Sequence, residues 1–303
     1  MRKLSLEKAN KLTYDLMIQG LKNGTYKKIV VLTGAGISVS AGIPDFRSPG
    51  SGIYANLQKY NLKRPEDLFT ISYFLEKPEV FYEFAKEFDL DSFDATPTTH
   101  FFIRLLQDKG LLSMNITQNI DNLEAKASIQ DDFLCQAHGS LRNAFCAKCK
   151  KEMDFLTFKE HVKAGAIYRC NAAGCGGPVK PEIVFFGESL PKSFFKSMKT
   201  VEECDLMLVM GTALAVSPFN QLPFFTSQGV HQVLINRENT NATSVHDFEK
   251  GNYRLFVPGN CDDTIRKIVS DCGWEEEFEK VLPEKHRGKA QGKVAGAGAA
   301  KKD

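Results

Sequence analysis

Short, nearly continuous apolar runs alternate with amphipathic stretches along most of the chain. The runs KIVVLT (28–33), MNITQ (114–118), DLMLVMG (205–211), QVLIN (232–236) and YRLFV (253–257) are rich in branched and aromatic residues and lack strict polar alternation. A strand with one wet face alternates, so these runs predict parallel strands covered by helices on both faces. Between them PEVFYEFAKEF (78–88), TTHFFIRLLQDKG (98–110), LPKSFFKSMKTVEE (190–203) and DDTIRKIVSDCG (262–273) place apolar residues at helical spacing. Acidic Asp262 and Asp263 suit a helix start, and Gly110 and Gly273 suit helix stops. Alternating strand and helix predicts an α/β fold, a doubly wound parallel sheet of Rossmann-like type.

Two segments break the alternation. Residues 49–95 read as helix and loop, and 140–180 as a small inserted module. The expected organisation is therefore a discontinuous large domain (1–48, 96–139 and 181–283), a helical part and cofactor loop at 49–95, and a metal-binding module at 140–180. The last stretch, 284–303, is Ala/Gly/Lys-rich, cannot bury a core and is expected to be a disordered basic tail.

Composition narrows the class. The chain has 303 residues, 43% apolar and 25% charged, with a net charge of +2, so bulk electrostatics argues for neither a nucleic-acid nor a membrane partner. No apolar stretch approaches the roughly 20 residues of a membrane span. The amphipathic N-terminus leaves little room for a presequence, so the expectation is a soluble intracellular protein. Among eight cysteines, Cys146, Cys149, Cys170 and Cys175 form two close pairs, CAKC and CNAAGC. Four thiolates satisfy tetrahedral zinc and leave no position for water, which predicts one structural rather than catalytic Zn²⁺. The segment between the pairs lacks a basic helix face, which argues against a nucleic-acid finger.

The candidate chemistry sits at strand ends. Gly34, Ala35 and Gly36 close the first apolar run, where small residues let the backbone approach a pyrophosphate. The next glycine, Gly42, departs from the usual dinucleotide spacing, and read alone the segment is equally a tight turn that binds nothing. Gly211 and Thr212 follow another run and offer close backbone and a hydroxyl; Asn236 and Glu238 follow a third and offer acceptors for ribose hydroxyls. No acidic residue closes a second strand about 20 residues on, which counts against a hydride-transferring dehydrogenase. TQNID (117–121) places two amides and a carboxylate at the same sheet edge, and AHGS (137–140) places His138 just before the cysteine module. A lone histidine is more often structural than catalytic, and Asp45 with Arg47 is equally a surface pair.

Together GAGISVSAGIPDFRS (34–48), TQNID, HGS, the cysteine quartet, FFGE (185–188), GT (211–212) and NRE (236–238) resemble the sirtuins, the NAD-dependent protein lysine deacylases. SPGSGIYANL, ISYFLEKPE, LQDKGLL, VKPEIVFFGESLP and LINRE are most similar to the cytosolic, tubulin- and histone-deacetylating branch. The resemblance implies that NAD is a co-substrate: the acyl oxygen attacks its nicotinamide ribose, nicotinamide leaves, and the acyl group ends on ADP-ribose. It implies pyrophosphate contacts at Gly34, Ala35, Gly36 and Ser38, and a cofactor loop of Asp45, Phe46 and Arg47. It puts Gln118, Asn119, Ile120 and Asp121 around the ribose and nicotinamide, with His138 as general base and Asn119 beside it. Gly211, Thr212, Asn236, Arg237, Glu238 and Cys261 would complete the cofactor site. Phe186, Gly187 and Glu188, with Val216, Ser217 and Pro218, would clamp an acylated peptide as an added strand, and the Glu188 side chain would be available to flanking lysines. The implied partners are acylated histone- or tubulin-like proteins, met in the cytoplasm with a nuclear fraction; the oligomeric state is left open between monomer and weak dimer. Protein mono-ADP-ribosylation at the same site is the alternative. The family's usual serine after GT is Ala213 here, one hydroxyl fewer, at a cost typically of about 1 kcal/mol. GIYANLQKYN carries no arginine to pair a dicarboxylic acyl group, which favours acetyl or long apolar groups over succinyl.

Overall fold

The computed structural model describes residues 11–45, 52–87, 96–240, 247–284 and 287. Phe46, Arg47 and, apart from Glu284 and Arg287, the 284–303 tail lie outside them. The large sheet contains β1 (Ile29–Thr33), β2 (Leu112–Thr117), β3 (Leu134–Gln136), β7 (Leu206–Met210), β8 (His231–Asn236) and β9 (Arg254–Pro258). Their order is β3-β2-β1-β7-β8-β9, and every neighbouring pair is parallel. The expected doubly wound sheet is thus present. Every residue of β1 and β7 is buried, which is why these runs carry no polar alternation.

Register decides where the strands finish. Thr33 is level with Thr117 and Met210, Thr117 with Gln136, Met210 with Ile235, and Asn236 with Pro258. All six carboxyl ends therefore fall along one edge. On one face α1 (Tyr14–Lys22), α4 (Thr98–Asp108), α8 (Cys261–Cys272) and α9 (Glu275–Val281) share a core with β1 and β7. In α8 the buried positions Cys261, Thr264, Ile265, Ile268, Val269 and Cys272 make one apolar stripe. Asp262 and Asp263 lie in its first turn, but the cap is Asn260, whose side chain accepts from the Asp262 amide; Gly273 closes the helix at φ 69°. The opposite face is covered by α7 (Lys192–Glu202), with Phe194 and Val201 among its buried contacts.

A second, three-stranded antiparallel sheet has the order β5 (Glu152–Met153), β4 (Gly139–Cys146), β6 (Val179–Ile183). It packs with α2 (Ile71–Glu76), α3 (Pro78–Glu87) and α6 (Phe155–Ala164) around an aromatic core. Phe81 and Phe185 lie 5.3 Å apart between centroids, and Phe74 meets Phe185 edge-on at 5.5 Å. The Tyr82 hydroxyl donates to the Val179 carbonyl at 2.7 Å and ties α3 to β6. Of the remaining elements, α5 (Leu123–Lys126) is a single turn after β2.

Cys146 ends β4, and the quartet closes beside it. Cys146 and Cys175 sulfurs are 3.5 Å apart, Cys149 and Cys170 sulfurs 3.7 Å, and all four lie within 4.8 Å of one another. Tetrahedral zinc with Zn–S bonds of about 2.3 Å requires sulfurs about 3.8 Å apart, so the donors fit the ion. The Lys151 backbone draws the Cys149 thiol down to about 7, while burial pushes Cys146 up to about 11, an opposition that a dication at the centre resolves. Within the wider CNAAGC spacing the chain turns at Gly174, at positive φ. Metal analysis of the purified protein is expected to give one zinc per chain. Cys175→Ser should lose it and lower the melting temperature, while the far-UV signal of the parallel sheet survives.

Candidate active site

Because the strand ends are level, residues after each of the six strands reach one cavity of about 810 Å³. Its lining includes Gly34 and Gly36 after β1, Gln118, Asn119 and Ile120 after β2, His138 after β3, Gly211 and Thr212 after β7, Asn236 to Glu238 after β8, and Gly259 to Cys261 after β9. The volume falls within the roughly 300–1,000 Å³ of ligand sites, and the place is the crevice where the strand order reverses about β1.

At its floor two backbones touch. The Gly36 amide donates to the Gly211 carbonyl at 2.8 Å. A Cβ on Gly36 would stand 2.7 Å from the Gly211 Cα, and Gly211 itself has φ 61°. The Ser38 hydroxyl, one short helical turn on, donates to Asp121 Oδ2 at 2.7 Å and accepts from Asn119 Nδ2 at 3.3 Å. Asn119 also donates to the Gly34 carbonyl at 3.2 Å, so the β2 loop fastens the β1 turn. Gln118 Nε2 donates to the Thr212 hydroxyl at 2.7 Å, which links the β2 and β7 loops. The Thr212 hydroxyl thus braces Gln118 as well as facing the cavity.

His138 occupies the turn between β3 and β4. Its Nδ1 lies 3.1 Å from the Gln118 carbonyl. A carbonyl only accepts, so Nδ1 carries the hydrogen and Nε2 keeps its lone pair. Burial holds the imidazole below its ordinary range, only partly offset by that carbonyl. Gly139, next in the chain, has φ 76°, and a Cβ there would meet the Glu182 carbonyl at 1.9 Å. Close packing of β4 on β6 thereby fixes the backbone that carries His138.

The outer wall differs from the sequence expectation in two ways. The main chain of Phe186 is already engaged: its amide donates to the Phe69 carbonyl at 2.7 Å and its carbonyl accepts from Ile71 at 3.0 Å. The Glu188 carboxylate accepts Lys150 Nζ at 2.7 Å, Lys180 Nζ at 2.9 Å and the Phe185 amide at 3.0 Å. It is therefore committed to the chain's own lysines rather than left for lysines of a partner. Val216, Ser217 and Pro218 line the same cavity as Gly187 and Glu188. Asp45 pairs with Arg237 at 3.8 Å, and the Cys261 thiol is buried against the Ile235 carbonyl.

Sequence reasoning missed Gly259, Asn260 and the exposed Phe195 in this lining. Asn260 had a signal, as a cap residue directly before a helix that follows a strand; Phe195 reads as one more apolar residue of an amphipathic helix. Gly36→Ala is expected to force the β1 and β7 loops apart, at about 1–3 kcal/mol of stability, and to weaken dinucleotide binding at least tenfold by calorimetry; unchanged binding would show that the close approach is not required.

A model of the Sir2 family matches residues 34–218, the span from the first glycine of the turn to Pro218. The chain is 40% identical over 292 residues to the NAD-dependent protein deacetylase sirtuin-2 of Danio rerio, covering 91% of this chain and 76% of that protein. It is 43% identical over 263 residues to the NAD-dependent protein deacetylase hst2 of Schizosaccharomyces pombe, covering 86% and 77%. With the NAD-dependent protein deacetylase SIR2rp1 of Trypanosoma brucei brucei it shares 41% over 321 residues, covering 90% and 91%. A parallel sheet whose six carboxyl ends meet in one cavity, a cysteine quartet beside it and these likenesses have one explanation: the chain belongs to the Sir2 family.

Proposed function

We propose that the chain is an NAD-dependent protein lysine deacetylase. The observation that carries this reading is His138, with Nδ1 on the Gln118 carbonyl and its lone pair on Nε2, set in the dinucleotide cavity. The chain's likeness to NAD-dependent protein deacetylases supports it. NAD supplies, when bound, a ribosyl carbon from which nicotinamide departs as a neutral base. The protein then needs orientation, exclusion of water and one base near neutral pKa, rather than a nucleophile of its own.

On this reading Gly34, Ala35, Gly36 and Ser38 seat the pyrophosphate. Gln118, Asn119, Ile120 and Asp121 surround the ribose and nicotinamide, while Gly211, Thr212, Asn236, Arg237, Glu238 and Cys261 hold the remaining nucleotide. Asp45, with Phe46 and Arg47 as the family resemblance implies, belongs to the cofactor loop. His138 Nε2 takes the proton of a ribose hydroxyl, and the Gln118 carbonyl steadies the imidazolium that forms. Since the Phe186 backbone is engaged with Phe69 and Ile71 and the Glu188 amide with the Phe185 carbonyl, a peptide strand would have Gly187 and the Glu188 carbonyl to pair with, beside Val216, Ser217 and Pro218. The finer reading, that the substrates are histone- or tubulin-like proteins in the cytoplasm and nucleus, rests on the stretches quoted above and the sirtuin-2 likeness.

Purified protein given an acetyl-lysine peptide should release nicotinamide only with NAD present, and His138→Ala should lower the rate by about 10²–10⁴-fold. Turnover without NAD, or undiminished in the variant, would sink the mechanism; label from NAD accumulating on protein would point to ADP-ribosylation instead. The base form of His138 dominates above a pKa that burial depresses. Turnover should therefore survive mild acid and fall only as pH drops through that value, which a pH–rate profile measures.

A further inference from the structure

The glycine-rich turn is fastened from behind by two serine–carboxylate pairs, Ser38 to Asp121 Oδ2 at 2.7 Å and Ser40 to Asp262 Oδ2 at 2.6 Å. Asp262 is itself held by the Thr99 amide at 2.8 Å and the Thr99 hydroxyl at 2.6 Å. Asp121 Oδ1 accepts the Leu123 amide at 3.0 Å. Behind Asp121 lie His100, in the first turn of α4, and Glu124, in α5, both with no exposed surface. One donor atom from each of His100, Asp121 and Glu124 falls within 4.8 Å of the others. Among the described residues no hydrogen bond of ordinary geometry reaches either ring nitrogen of His100 or either oxygen of Glu124; the Thr117 hydroxyl and the Pro97 carbonyl are their weaker polar neighbours.

Buried groups with so few partners are costly as ions. Burial lowers the pKa of His100 and, with Asp121 next, raises that of Glu124 to about 8. Both are thus neutral near pH 7. The charged groups facing Glu124 are Asp121 and, from β4, Arg142; those facing His100 are Asp121 and Asp262. Arg266 of α8 is turned to the Thr98 hydroxyl at 2.7 Å.

We propose that His100 and Glu124 are a positioning pair: buried and uncharged against Asp121, they set no like charge behind it, so its carboxylate stays on the Ser38 hydroxyl. The inference rests on the reading that Ser38 and Asp121 serve an NAD site. Ionising Glu124 sets a second carboxylate against Asp121, the two repel, the Ser38 bond loosens and the turn loses its shape. The effect appears as pH rises, opposite in sign to the His138 limb.

The test is kcat and KM for NAD with the zinc-loaded protein between about pH 7 and pH 9.5. Wild type is expected to show KM rising about tenfold as Glu124 ionises, with kcat changing much less. Glu124→Gln, uncharged and close in shape, should keep KM near its pH 7 value and abolish the alkaline rise, and Glu124→Leu, also uncharged, should abolish the rise as well. An alkaline rise that persists in Glu124→Gln, or its absence from wild type, overturns the inference. So does a second equivalent of metal lost on mutating His100 or Glu124, since the cluster would then be a cation site. Absence of NAD-dependent turnover would count against the proposed activity instead, and calorimetric NAD affinity over the same pH range would then test the positioning pair by the same criteria.

Discussion

Where Gly36 donates to Gly211, two loops from neighbouring parallel strands lie backbone to backbone with no room for a side chain. The site depends on that contact. It joins the turn after β1 to the loop after β7, and Asn119 and Gln118 then draw in the loop after β2 by reaching Gly34 and Thr212. Gln118 in turn fixes the ring of His138 through its carbonyl. One close approach, made possible by glycine and by the level strand ends, thus propagates through side-chain amides to the candidate base.

The large sheet was legible because its strands are buried on both faces, so the apolar runs stand out from amphipathic helices with little ambiguity. The quartet was legible because four thiols with short spacing have few alternative uses. What stayed hidden follows from different physics. β3 is three residues long and has no periodicity to detect. The antiparallel β4–β6 sheet includes Lys180, a buried lysine that a binary pattern reads as solvent-facing. Asn260 rather than Asp262 caps α8, a two-residue difference that propensity alone does not resolve. At the site, each strand-end motif could be placed at the sheet edge in advance, but the pairwise bonds among Ser38, Asn119 and Asp121 depend on a tertiary arrangement that sequence spacing does not encode.

His100 and Glu124 show the same limit from the other side. In sequence they are one polar residue in an amphipathic helix and one acid after TQNID. Only the packing of α4 and α5 behind the turn makes them buried, unpartnered and adjacent.

The small module meets the cavity through Glu188, Lys150 and Lys180. Glu188 accepts both ammonium groups and Glu182 is a second acidic neighbour of Lys180, so the cluster carries no surplus charge. An acylated lysine is neutral when it arrives, and a freed lysine is an ammonium when it leaves. The cluster balances its charges within the chain, so it anchors the loop and leaves no unpaired cation of its own to meet the neutral side chain.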